Sequence, residues 1–158
     1  MSFVASEAIK HEAMAECVKL CEYVLDTFKL QLDWTDQSIE KIDELLDFFH
    51  REGQKDKPTE ADVAKFSKGF GSYIGEVYRR NHGASWGTLT LGNESCSGMR
   101  AAGSGVEFWP WGRAQQRILD GPTANVWVYY QELHRRAATT GEPSASAEPW
   151  WRRLFKHS

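Results

Sequence analysis

Gly69-Phe70-Gly71-Ser72-Tyr73-Ile74-Gly75-Glu76-Val77-Tyr78-Arg79-Arg80-Asn81-His82-Gly83-Ala84-Ser85-Trp86 decides the fold, because its apolar spacing and its glycines pull in opposite directions. Val63, Phe66, Phe70, Tyr73 and Val77 recur at intervals of three and four, which predicts a helix with one buried face. Each glycine inside such a helix costs about 0.8–1.0 kcal/mol relative to alanine. Something must offset that cost. Ala64, Gly71 and Gly75 share one side, so either a neighbouring backbone approaches closely there or the side opens into a pocket. The pocket reading would draw in Gly71, Gly75, Glu76, Arg79, Arg80 and Trp86.

Upstream, Met14, Cys17, Cys21, Val24 and Phe28 predict an amphipathic helix over about 7–29, with both cysteines on its apolar stripe. Leu30–Trp34 reads as a short extended piece. A cap at Thr35 or Asp36 opens a second helix that turns Ile39, Ile42, Leu46 and Phe49 inward and ends at Gly53. Thr59-Glu60-Ala61-Asp62 resembles a capping box for the glycine-bearing helix, and Gly83 supplies its left-handed terminus. From Ala84 to Trp111 the pattern changes to strands: Trp86–Leu91, a weaker Met99–Ala102, and Val106–Trp109, separated by Gly92-Asn93 and Gly103-Ser104-Gly105. Helix returns at 112–119, stops at Asp120-Gly121-Pro122, and resumes from a cap at Thr123 with Val126, Tyr130 and Leu133 inward. The expected architecture is a single α+β domain over 1–137, with N-terminal helices, a small antiparallel sheet at about 84–111 and two C-terminal helices. A flexible linker over 138–149 and an amphipathic basic and aromatic tail over 150–158 would follow.

Composition narrows the function classes. The chain has 158 residues, three cysteines without framework spacing, no run approaching the roughly 18 apolar residues of a membrane span, and no secretory signal pattern. These features predict a cytoplasmic protein with reduced thiols. The net charge is −3, yet residues 1–133 carry −6 and residues 134–158 carry +3, and between Asp33 and Asp62 ten carboxylates face four basic residues. Phosphate binding needs clustered Lys and Arg, so nucleic acid is not an expected ligand, whereas a basic protein partner is.

Candidate chemistry is sparse. His11-Glu12-Ala13-Met14-Ala15 lacks the second histidine of a zincin helix, and Cys17 with Cys21 lacks a companion ligand pair, so neither metal nor cofactor is expected. Glu76 with Arg79 and Arg80 is either a helix-surface salt bridge or an acid/base cluster, the latter requiring a buried Glu76 with a raised pKa. Trp86, Trp109 and Trp111 leave an aromatic-lined ligand module open as a further alternative. Asp36, Glu40, Asp43 and Asp47, at intervals of four, three and four, align on one side of the second helix. Such like-charge spacing is destabilising in isolation, and the expectation is an acidic surface that docks a basic partner.

The segment Gly71-Ser72-Tyr73-Ile74-Gly75-Glu76-Val77-Tyr78-Arg79-Arg80, with Gly83 and Trp86, resembles an uncharacterised bacterial domain family that has a Gly-x-Tyr-x-Gly-Glu helix before a Trp-containing strand. Gly105-Val106-Glu107-Phe108-Trp109-Pro110, leading into a helix at Arg113, is similar to that family's second recurring block, so the resemblance spans about Leu32 to Leu133. It implies a cytoplasmic α+β domain and brings no established activity. In size and acidity the chain is also similar to bacterial immunity proteins. The function this implies is a non-enzymatic, protein-binding one that neutralises a cognate toxin.

Overall fold

The structure, a computed structural model, describes residues 2–139. The glycine-bearing segment is a helix, α3 (Glu60–His82), whose start is capped by Thr59: its Oγ1 accepts the Asp62 N–H at 3.1 Å. Gly83 closes it with φ of 82°. Before it come β1 (Ser2–Ala5), α1 (Glu7–Phe28) and α2 (Ser38–Lys55). After it come β2 (Ala84–Leu91), β3 (Glu94–Ala101), β4 (Glu107–Phe108), α4 (Pro110–Asp120), a 3-10 turn (Gly121–Ala124) and α5 (Val126–Thr139). The chain is thus a single α+β domain with a four-stranded antiparallel sheet in the order β1-β2-β3-β4.

The core lies where α3 meets the other elements. Phe70, Tyr73, Ile74 and Val77 of α3 pack with Ile39, Ile42 and Leu46 of α2, Cys17 and Val24 of α1, and Trp86 and Met99 of the sheet. Val63 is buried as well, while Phe66 is half-buried, one helical turn further on. The glycines are contact points. A Cβ on Gly71 would lie 2.6 Å from the Trp111 Cα and 2.7 Å from the Pro110 carbonyl oxygen, so the backbone of α4 occupies that place. A Cβ on Gly75 would fall 2.4 Å from the Trp86 ring and 2.7 Å from the Met99 sulfur. Close approach of a backbone and an indole is what offsets the lost helix propensity.

Several boundaries differ from the sequence expectation. β1 was not anticipated; it pairs along β2 from Ser2 opposite Thr90 to Ala5 opposite Gly87. Leu30–Trp34 pair into no strand, and the piece ends at Trp34 with φ of 66°, while α2 runs past Gly53 to Lys55. Asn125, not Thr123, caps α5: its Oδ1 accepts the Val128 N–H at 2.9 Å, because Gly121–Ala124 are taken up by the 3-10 turn. α5 also extends through 138–139, where a linker was expected. The rest of the expected linker and the whole tail lie outside the described residues. Among the described residues no helix is long and apolar enough to cross a membrane.

Candidate functional site

Of the four carboxylates, Glu40, Asp43 and Asp47 belong to α2 and Asp36 to the turn before it, and they do not form one open surface. Asp43 is buried. Its Oδ1 accepts from Arg117 Nε at 3.0 Å and from the Val126 N–H at 2.7 Å, and its Oδ2 accepts from Asn125 Nδ2 at 3.1 Å. Asp47 accepts from Arg117 Nη2 at 2.9 Å and faces Arg51 at 2.9 Å. The Arg117 side chain, only 3% exposed, is therefore neutralised by two carboxylates of α2, and Asp43 also holds the first amide of α5. Asp36 accepts from Asn81 Nδ2 at 3.1 Å, lies 2.9 Å from His82 Nε2, and accepts from the Tyr130 hydroxyl. Burial pushes the Asp36 carboxyl up, but these hydrogen bonds outweigh it and hold the group below its ordinary value. The Arg117 hydrogen bond does the same for Asp47. Glu40 alone of the four is exposed. The expectation that all four project into solvent is corrected: the buried guanidinium of α4 and the N-terminus of α5 require anions, and α2 supplies them.

The cluster at the end of α3 is also an internal device. Glu76 has no exposed surface. It accepts from Arg79 Nε at 2.6 Å, Arg79 Nη2 at 3.0 Å and Trp86 Nε1 at 3.0 Å, with Arg80 Nη2 at 3.7 Å. Arg80 in turn stacks over the Trp34 ring at 3.8 Å. Burial alone would push the Glu76 carboxyl up, yet the Arg79 and Trp86 hydrogen bonds and the two arginine charges hold it below the ordinary carboxylate value. A general acid or base needs the opposite shift, toward the working pH. A cleft of about 110 Å³ touches Arg79 and Trp86, but Glu76 does not line it. Gly71 and Gly75, the remaining members of the suggested pocket, face atoms already in place. Trp86 and Trp109 are buried, and Trp111 Nε1 donates to Ser72 Oγ at 2.7 Å, so these indoles serve the core.

Cys17 is buried and Cys21 half-buried, neither in a disulfide. The hydrogen bond between them raises the Cys17 thiol and lowers that of Cys21. Among the described residues no group of three or more His, Cys, Asp or Glu could hold a metal ion.

One feature of the surface had no signal in the sequence. Between the end of α2 and the start of α3 lies a groove of about 490 Å³. Phe49, Val63, Phe66 and Ile118 form its apolar wall, and Glu52, Asp56 and Asp62 stand at its edge with Lys57. Phe49 and Phe66, with ring centroids 4.5 Å apart, follow the core periodicity of their helices, but the 56–59 turn leaves them only partly covered. Compared with protein-family models, with curated proteins and with solved structures, the chain has no match.

Proposed function

We propose that this chain is a non-enzymatic protein-binding domain that engages a basic partner through the outer face of α2 and the α2–α3 turn. Its bacterial immunity-like character, with a secreted toxin as the partner, is the specific form of that reading. The observation that carries it is how the carboxylates divide. The chain commits Asp43 and Asp47 to Arg117 and Glu76 to Arg79, which engages these three carboxylates in internal ion pairs. Glu40, Glu44, Glu52, Asp56, Glu60 and Asp62 stay exposed on the same stretch, where they outnumber the exposed Lys41, Arg51, Lys55 and Lys57 six to four. Such an unbalanced face steers a cationic protein and raises its association rate more than it raises contact energy.

The test is affinity for the product of the adjacent gene, by calorimetry at low and moderate salt, for the parent chain and for Glu40→Lys/Glu44→Lys. Glu40 and Glu44 are exposed, and Glu44 faces only Lys41 at 3.5 Å, so the reversal should leave the fold intact. Asp36, Asp43 and Asp47 are unsuited to that test, since reversing them breaks internal bonds. Weaker binding with a shallower salt dependence, together with loss of growth protection on co-expression, is the expected result. A folded double reversal that binds and protects as before would sink the reading.

A further inference from the structure

We propose that the cleft between α4 and α5 binds a small oxyanion, a phosphate or carboxylate group, between Arg113 and Arg136. The cleft encloses about 150 Å³ and is lined by Arg113 of α4 and by Tyr129, Glu132, Leu133 and Arg136 of α5. Sites that enclose a whole drug-sized ligand measure about 300–1,000 Å³, so this space suits a compact charged group and not a large cofactor. Arg113 and Arg117 stand one turn apart on α4 and differ in their partners. Arg117 donates to Asp43 and Asp47. Arg113, half-buried, forms no ion pair among the described residues: its Nη1 donates to the neutral Gln116 side chain at 3.2 Å, and its Nε is buried without a partner.

Burial pushes both guanidinium groups down from their ordinary value. For Arg117 the bonds to Asp43 and Asp47 more than reverse this, whereas Arg113 stays lowered. An arginine remains protonated at neutral pH all the same, so Arg113 is a partly desolvated cation without a carboxylate of its own. Its guanidinium lies over the Tyr129 ring, 4.8 Å from the centroid, and the ring face offsets part of the charge. The Tyr129 ring and Gln116 also hold the group in place before a ligand arrives, which reduces the ordering cost of binding. Glu132 is the one carboxylate in the lining, and it is already neutralised. It accepts from Arg135 Nε at 2.9 Å and Nη2 at 2.6 Å, and from Arg136 Nε at 3.3 Å. Three guanidinium groups thus accompany one carboxylate, which leaves the cleft net positive. Arginines recognise oxyanions best, because N–H donors and opposite charge meet the oxygens together.

The test titrates the full chain, labelled with nitrogen-15, with inorganic phosphate and separately with acetate. Sodium chloride is adjusted to hold ionic strength constant, so that general screening does not change. At least one of the two anions should move the Arg113 Nε–H resonance saturably and raise the melting temperature, and the tighter of them identifies the headgroup. Arg113→Gln and Arg136→Gln, followed on the backbone amides of α5, should each weaken that binding about tenfold or more, since a charge-assisted hydrogen bond is lost. Lys57→Gln removes an exposed cation at the α2–α3 turn and should bind as the parent does. Circular dichroism checks that each variant folds; if Arg113→Gln does not, the parent's resonance and Arg136→Gln still decide. No saturable change with either anion, an Arg113 or Arg136 variant that binds like the parent, or equal weakening by Lys57→Gln would each overturn the proposal. The site lies on α4 and α5 and takes a small anion, so its failure leaves the partner reading of α2, measured with a protein, untouched.

Discussion

Replacing Asp43 with alanine should be among the most damaging single changes to this protein, although the sequence places Asp43 in an acidic row that invites reversal. The substitution leaves the Arg117 guanidinium, 3% exposed, with Asp47 as its remaining carboxylate. One of its nitrogens, Nη1, has no hydrogen-bond partner even in the intact protein. The Val126 amide and the Asn125 side chain lose their acceptor as well. Breaking a buried ion pair by removing one member costs about 3–5 kcal/mol, because the other charge stays desolvated. Against a total stability of about 5–15 kcal/mol that is a large share. At about 2–4 °C per kcal/mol for a chain of this size, it lowers the melting temperature by roughly 6–20 °C. Urea unfolding followed by tryptophan fluorescence and by circular dichroism measures it, with Glu40→Ala as the exposed control, expected within about 0.5 kcal/mol of the parent. Asp43→Leu with Arg117→Met should recover much of the loss, since an apolar pair removes the stranded charge. If Asp43→Ala and Glu40→Ala unfold at the same urea concentration, Arg117 is hydrated and the internal network is wrong.

The glycines of α3 give a graded test. Gly71→Ala should destabilise by about 1–3 kcal/mol despite its propensity gain, because the α4 backbone must move. Gly69→Ala, whose Cβ would meet only the flexible Leu20 side chain at 3.4 Å, should be neutral or stabilising by up to about 1 kcal/mol; equal effects at the two sites would remove the packing argument. The pH dependence of stability tests Glu76. Its carboxyl is held below the ordinary value of 4.5, so its contribution is fully present above that value and is lost as pH falls through the lower folded value. Glu76→Gln should therefore be less stable at neutral pH and show a flatter acid limb in denaturant unfolding; parallel acid limbs would mean that Glu76 is not held as an anion.

The features that the sequence made legible are those set by neighbours a few residues away. The register of α3, the Thr59 cap, the Gly83 terminus and the antiparallel hairpin at Gly92-Asn93 all follow from local spacing and turn chemistry. Asp43 shows why the acidic row was misread. Its partners Arg117, Asn125 and Val126 are 74, 82 and 83 residues away, and no local pattern distinguishes a carboxylate that will meet them from one that will meet water. β1 escaped for a related reason: four residues carry too little alternation to announce a strand, and it exists because β2 offers an edge. The groove was hidden differently, since Phe49 and Phe66 obey the core periodicity and only the geometry of the turn leaves them partly open.

Gly75 and Glu76 are best understood as one device, and this bears on where function can reside. The missing side chain at Gly75 lets the Trp86 ring lie against α3, and that position delivers the indole N–H to the carboxylate of the very next residue. A carboxylate buried there needs compensating charge, which Arg79 and Arg80 provide from the following turn. Arg80 then extends the arrangement to Trp34, a residue at φ of 66°, where a non-glycine side chain needs support. The Trp34 N–H donates to the Tyr73 hydroxyl at 3.1 Å, and Asn81 donates to its carbonyl at 3.0 Å, so the loop before α2 is tied to α3. Glu76 thus joins α3 to β2 and Arg80 joins it to the α1–α2 loop, while Arg79 neutralises Glu76 within the helix. A site that must bind, release and respond to a ligand cannot share groups whose displacement would undo those joints. Exposed carboxylates remain on the outer face of α2 and at the open turn between α2 and α3, where Glu44 and Glu52 pair with Lys41 and Lys55 of their own helix and Asp56 and Asp62 stand at the groove.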